Sequence, residues 1–151
     1  MIAILSEKLY EGLFPQVVEG NLFDFWLATQ YDENGKDIQE FIKFSDRREV
    51  FFYILEHLLR DGRIKLYKNG IFLESSIEDQ IKLFRQALPK TETDADRICT
   101  LPGKKAPYEG FGMNVWWYLD NCPAGVAWRQ DDGHYEIADW GLCDLFNLSF
   151  P

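Results

Sequence analysis

Three residue types in the C-terminal part of the chain could form a nucleophilic site. A cysteine thiolate attacks efficiently when an imidazole accepts its proton and a carboxylate orients that imidazole. Cys122, His134 and Asp139 supply these groups within one short stretch. The sequence therefore leaves open a small enzyme of the thiol hydrolase type that uses Cys122. The alternative is a packed thiol, because Pro123 directly after the cysteine fits a structural turn.

The cysteines do not have the spacing of a metal site. Structural zinc sites use cysteine pairs two to four residues apart, whereas Cys99, Cys122 and Cys143 are separated by 23 and 21 positions. Residues 109–112 contain two glycines but lack the Lys-Ser or Lys-Thr of a phosphate-binding loop. We therefore expect no metal and no nucleotide cofactor. An odd number of widely spaced cysteines also indicates reduced thiols rather than a disulfide framework.

An acidic turn gives the candidate binding surface. Asp131-Asp132-Gly133 separates two short segments rich in apolar residues, which predicts a β-hairpin whose turn projects into solvent. Residues 91–151 carry 10 acidic and 4 basic residues, a net charge of −6. Interfaces take energy from aromatic anchors and orientation from complementary charge. The predicted partner-binding residues on this hairpin are Asp131, Asp132, Tyr135, Glu136 and Asp139. The alternative is an ordinary solvated loop.

Composition restricts the kind of partner. The 151 residues are 46% hydrophobic and 27% charged, which is enough apolar material for one packed domain spanning residues 1–151. The net charge is −9, so we expect a basic partner rather than nucleic acid or an anionic membrane. No apolar run approaches the ~20 residues of a membrane span, and residues 1–8 lack the basic start of a signal peptide. The expected location is the cytoplasm.

Capping residues and apolar periodicity predict four helices. Ser6 and Asn21 are placed to cap the first two, and Ser45 to cap a third whose apolar residues recur through residues 50–59. Ser75 and Glu78 form a capping box for the fourth. Residues 90–112 have no periodicity and predict a long loop that could face a partner.

Two turn signals predict two hairpins. Asn69-Gly70 joins residues 63–67 to residues 71–73, and the acidic turn joins residues 126–129 to residues 134–138. The expected fold is α+β, a single domain of several helices packed with short antiparallel hairpins. Six aromatic residues near these hairpins are expected mostly in the core, with a binding platform as the alternative: Trp116, Trp117, Tyr118, Trp128, Tyr135 and Trp140.

A helix followed by a hairpin over residues 45–73 also suits a winged-helix-like binding module. Such a helix needs exposed basic residues to contact phosphates. After Arg47 and Arg48 the helix offers only Arg60, which argues against this alternative.

Several strings of residues match a pattern seen in known proteins. They are FFYILEHLLRDGRIKL at residues 51–66, SIEDQIKLF at residues 76–84 and CPAGVAW at residues 122–128, together with Asn69-Gly70 and Trp116-Trp117. In these strings the chain resembles a family of small bacterial proteins of unknown function, similar to proteins encoded beside polymorphic or contact-dependent inhibition toxins. The resemblance implies an immunity protein that binds and neutralises a cognate toxin domain. It supplies no catalytic motif, so we expect no enzymatic activity.

Overall fold

The computed structural model describes residues 5–98 and 112–138. Within these residues the chain forms six α-helices, one 3-10 turn and four strands. The helices are α1 (Glu7–Val17), α2 (Leu22–Ala28), α3 (Phe44–Arg60), α4 (Ile77–Ala87), α5 (Glu92–Ile98) and α6 (Gly112–Val115), and the 3-10 turn is Trp116–Tyr118. The strands are β1 (Ile64–Lys68), β2 (Ile71–Phe72), β3 (Gly125–Arg129) and β4 (Tyr135–Ile137). The predicted α+β class is confirmed.

Local capping starts α1 and α2 as predicted. Ser6 Oγ accepts a hydrogen bond from the backbone N–H of Leu9, 3.2 Å away. Asn21 forms a complete capping box with Asp24, in which each side chain accepts from the other residue's backbone N–H. These bonds satisfy N–H groups that have no partner inside the helix.

The predicted cap of α3 is wrong by two residues, and that of α4 by one. Phe44 is already helical and packs against Trp26 with the rings 5.2 Å apart, so Ser45 lies inside α3 and Lys43 precedes it without a side-chain cap. At α4 the cap is Ser76, whose Oγ accepts from the backbone N–H of Asp79. With Ser76 as the cap, the third helical residue is Asp79, so Glu78 is not placed to close a box, and its carboxylate accepts from Arg60.

The predicted loop at residues 90–112 is also partly wrong. Residues 92–98 form α5, and Thr91 Oγ1 accepts from the backbone N–H of Asp94 at its start. This cap stabilises the start of a short helix in a segment whose apolar residues have no helical periodicity. Residues 99–111 lie outside the described part of the chain.

The two predicted hairpins are confirmed, and they combine into one antiparallel sheet of order β2-β1-β3-β4. Asn69 and Gly70 both have positive φ, 53° and 77°, as a type I′ turn requires. The central pairing joins β1 to β3, with Ile64 opposite Trp128 and Tyr67 opposite Gly125. This pairing places the acidic hairpin at one edge of the sheet.

The core lies between the helices and one face of this sheet. The apolar stripe predicted on α3 is buried at every position, and Ile64 and Val126 face it from the sheet. Trp116, Trp117 and Trp128 are buried, as the core interpretation predicts, whereas Tyr118 and Tyr135 are half-buried. Trp140 lies outside the described residues. Among the helices of the described segments, none has the length and apolar character needed to cross a bilayer.

Candidate functional site

The acidic hairpin, residues 129–137, presents its carboxylates to solvent at the edge of the sheet. Asp131, Asp132 and Glu136 are exposed, and Gly133 supplies the positive φ of 91° that closes the turn. Asp131 has no hydrogen bond or ion pair within the described residues, so its charge is fully available to a partner. Asp139, the fifth predicted residue, lies outside the described residues.

His134 lies between two of these carboxylates. Its Nδ1 contacts Asp132 Oδ1, and its Nε2 lies 2.9 Å from Glu136 Oε1. The hydrogen bonds to Glu136 and Asp132 raise the pKa of His134 above its ordinary value. The pKa of Asp132 is lowered because its carboxylate accepts from the backbone N–H and the ring of His134. The hairpin therefore carries a proton-binding group inside an anionic cluster.

Tyr135 anchors the hairpin to the outer face of the sheet. Its hydroxyl donates a hydrogen bond of 2.7 Å to the carbonyl of Gly62. Its ring lies 6.0 Å from the ring of Phe72, and Lys65 Nζ lies 4.6 Å from the Tyr135 ring centre. The half-buried Tyr135 side chain therefore packs on the sheet through Gly62, Phe72 and Lys65.

The strand β4 is an edge strand of the sheet. Among residues 5–98 and 112–138, only β3 pairs with it. Ile137 on this strand is 50% exposed. Because successive side chains of a strand point to opposite faces, Ile137 is exposed on the face that Tyr135 shares, and Glu136 lies on the other.

Cys122 and His134 lie at opposite ends of β3 and do not contact each other. Cys122 is buried before the start of β3, and its thiol donates to the carbonyl of Ala124. His134 follows the other end of β3, about 13 Å along a five-residue strand. Both ring nitrogens of His134 already face carboxylates. The predicted thiol–imidazole pair therefore lacks the contact that base catalysis requires.

The two remaining alternatives are a metal site and a helix that contacts phosphates. Within residues 5–98 and 112–138, no group of histidine, cysteine and acidic residues could hold a metal ion. The basic residues of α3 are engaged internally: Arg47 donates to Trp26 O, Arg48 to Arg85 O, and Arg60 to Glu56 and Glu78. The carboxylates of Glu56 and Glu78 beside Arg60 would also repel a phosphate, which argues against a winged-helix contact.

Sequence reasoning missed the role of His134. The sequence indicated this residue only as a base for Cys122. The available signal was the spacing of Asp132, His134 and Glu136, because residues two apart in an extended segment point to the same face. No local pattern indicated that Tyr135 would reach Gly62, which is 73 residues away in the chain.

Comparisons with known proteins give a family and a fold, without an activity. A family model described as a protein of unknown function, DUF596, matches residues 59–140. A solved structure from Neisseria meningitidis, described as an uncharacterised protein conserved in bacteria, is similar with a TM-score of 0.59. Its sequence is 25% identical, and the similarity covers 87% of each chain. No curated protein matches.

Proposed function

We propose, from the premise that this chain belongs to the DUF596 family of proteins of unknown function, that it is a protein-binding module with an acidic docking hairpin. The partner is a basic protein, and in the finer form of the proposal it is a cognate bacterial toxin domain that binding neutralises. The observation that carries the proposal is the exposed carboxylate cluster at the sheet edge, formed by Asp131, Asp132 and Glu136.

Electrostatics supports a basic partner. The whole chain has a net charge of −9, and complementary charge speeds diffusional encounter and suppresses wrong partners. Toxin domains that act on nucleic acid are basic for the same reason that nucleic-acid-binding proteins are. A protein that covers such a surface must be acidic where it docks.

The hairpin is also suitably rigid for docking. Tyr135 ties it to Gly62, and the backbone pairing of β3 with β4 fixes its register. Preorganised surfaces lose less conformational entropy on binding than mobile loops do. The hairpin can therefore present Asp131 of the turn and Glu136 of β4 in one fixed arrangement.

The test expresses the products of the genes adjacent to this one and asks whether any is a toxin domain against which this protein protects growing cells. We expect the wild type to bind the purified toxin domain and to protect cells that express it. The double variant Asp131→Lys and Glu136→Lys should lose at least about tenfold in affinity, because two repulsive contacts replace two attractive ones. The matched control is Glu11→Lys with Glu40→Lys, two exposed positions outside the sheet with the same change in net charge.

Two results would overturn the proposal. Failure of the wild type to bind the toxin domain removes the immunity function. Equal loss of affinity in the hairpin variant and the control shows that net charge matters but the hairpin does not.

A further inference from the structure

A second candidate site lies away from the hairpin, in a cavity of about 360 Å³ beside α2 and α3. Trp26 and Phe44 give it an aromatic wall. Arg47 and Glu92 supply opposite charges, and the amides of Gln30 and Asn114 also line it. Aromatic walls with a few convergent polar groups are typical of small-ligand sites.

Arg47 is held in one orientation at this cavity. Its Nε donates to Thr29 Oγ1 at 2.8 Å, and its Nη2 donates to the carbonyl of Trp26 at 3.1 Å. The guanidinium also stacks over the Trp26 ring, 4.3 Å from its centre. A guanidinium fixed in this way loses little side-chain entropy when it binds a planar anion.

Arg47 has no carboxylate partner among the described residues. Burial lowers its pKa to about 10, and the more distant carboxylates of Glu92 and Asp37 act in the opposite direction. The group is still a cation at neutral pH. A partly buried cation without an ion pair gains more from an incoming carboxylate than a solvated one does.

The negative charge of Glu92 favours a carboxylate ligand that also carries a positive charge. It is exposed at the start of α5 and makes no hydrogen bond within the described residues. A simple anion at Arg47 would be repelled by Glu92, whereas a ligand with both charges would be attracted at both ends. We propose that this cavity binds a free α-amino acid, with its carboxylate on Arg47 and its ammonium group toward Glu92.

The test uses the full chain and the proteinogenic L-amino acids, added one at a time up to about 10 mM and followed by amide NMR shifts. For each amino acid that binds, two derivatives are compared: the carboxamide, which lacks the carboxylate, and the N-acetyl form, which lacks the ammonium group. We expect saturable shifts at Thr29, Gln30 and Asn114 with at least one free amino acid. Each derivative should bind about tenfold or more weakly, because one charge-assisted contact is lost.

The decisive variant is Glu92→Gln, since Glu92 is exposed and its replacement leaves the packing unchanged. It should weaken binding of the free amino acid and leave binding of the N-acetyl form no weaker. Arg47→Lys should abolish binding of the free amino acid and of the N-acetyl form. It also removes the Arg47 hydrogen bonds to Thr29 and Trp26 at the end of α2. The proposal is overturned if no amino acid gives a saturable shift, if the carboxamide binds as tightly as the free form, or if Glu92→Gln binds the amino acid as the wild type does.

Discussion

His134 is a titrating residue of the acidic hairpin, and its protonation changes the net charge of that surface. Its folded pKa is raised by Glu136 and Asp132, so the folded protein holds this proton more tightly than the unfolded chain does. The resulting stabilisation is present below the unfolded value near 6.5 and is lost as the pH rises through the folded pKa. Because the imidazolium cancels one carboxylate, the hairpin becomes less negative as the pH falls.

NMR titration of the two histidines measures this directly. We expect the His134 pKa to lie above 6.5 in the wild type and to fall in Glu136→Gln, which removes the first cause of the shift. Glu40→Gln, an exposed change outside the hairpin, is the control and should leave the His134 pKa where it is. A His134 pKa that does not respond to Glu136→Gln would contradict the geometry described here.

Much of the candidate site at the residue level was readable from sequence. The exposure of Asp131 and Asp132 follows from the turn that Gly133 closes, and the structure places both in solvent. Contact between Cys122 and His134 could not be decided from sequence, because Cys122 precedes β3 and its position depends on how the chain enters that strand. From sequence, Arg47 was weighed only as a phosphate contact, since its bonds to Trp26 and Thr29 join residues about 20 apart in the chain.

Gly12 marks a close approach at the scale of elements. It lies inside α1, where a Cβ atom would be 2.2 Å from the carbonyl oxygen of Glu33. Glycine to alanine inside an exposed helix normally stabilises by about 0.5–1 kcal/mol. Here the contact is with backbone that cannot rotate away, so α1 and the segment at residue 33 would have to separate.

We therefore expect Gly12→Ala to destabilise the protein by about 1–3 kcal/mol, opposite in sign to the helix-propensity effect. Urea unfolding should show a lower midpoint with an unchanged slope. Glu11→Ala, at the exposed neighbouring position, is the control and should change stability by less than about 0.5 kcal/mol. A Gly12→Ala protein as stable as the wild type would show that α1 does not pack this closely.

The elements themselves show where local signals suffice. Interactions between residues close in sequence determine some features, and these were predicted: the caps at Ser6 and Asn21, the apolar stripe on α3 and the Asn69-Gly70 turn. The β1–β3 pairing joins residues about 60 apart, and no local pattern selects it. The start of α3 was missed because packing of Phe44 on Trp26, a long-range contact, extends the helix past its capping signal.

At the scale of the whole molecule, the sheet order determines what the acidity can do. If the carboxylates were spread evenly over the surface, the net charge of −9 would attract a basic partner without favouring any one surface. Pairing β1 with β3 leaves the acidic hairpin at the sheet edge, where Asp131 and Glu136 are exposed together. The family relationship gives this arrangement no assigned activity, so binding through the hairpin stays a prediction.

The association rate with the cognate toxin domain that the proposed function requires, measured at about 0.1 M and about 1 M salt, tests this prediction most directly. The Debye length falls from about 10 Å to about 3 Å between these conditions, so steering by the hairpin should be largely screened. We expect the wild-type rate to fall by about tenfold or more, and the rate of Asp131→Lys with Glu136→Lys to be slow at both salt concentrations. The Glu11→Lys and Glu40→Lys control should keep most of the salt dependence. If the hairpin variant associates as fast as this control and with the same salt dependence, the hairpin is not the docking surface.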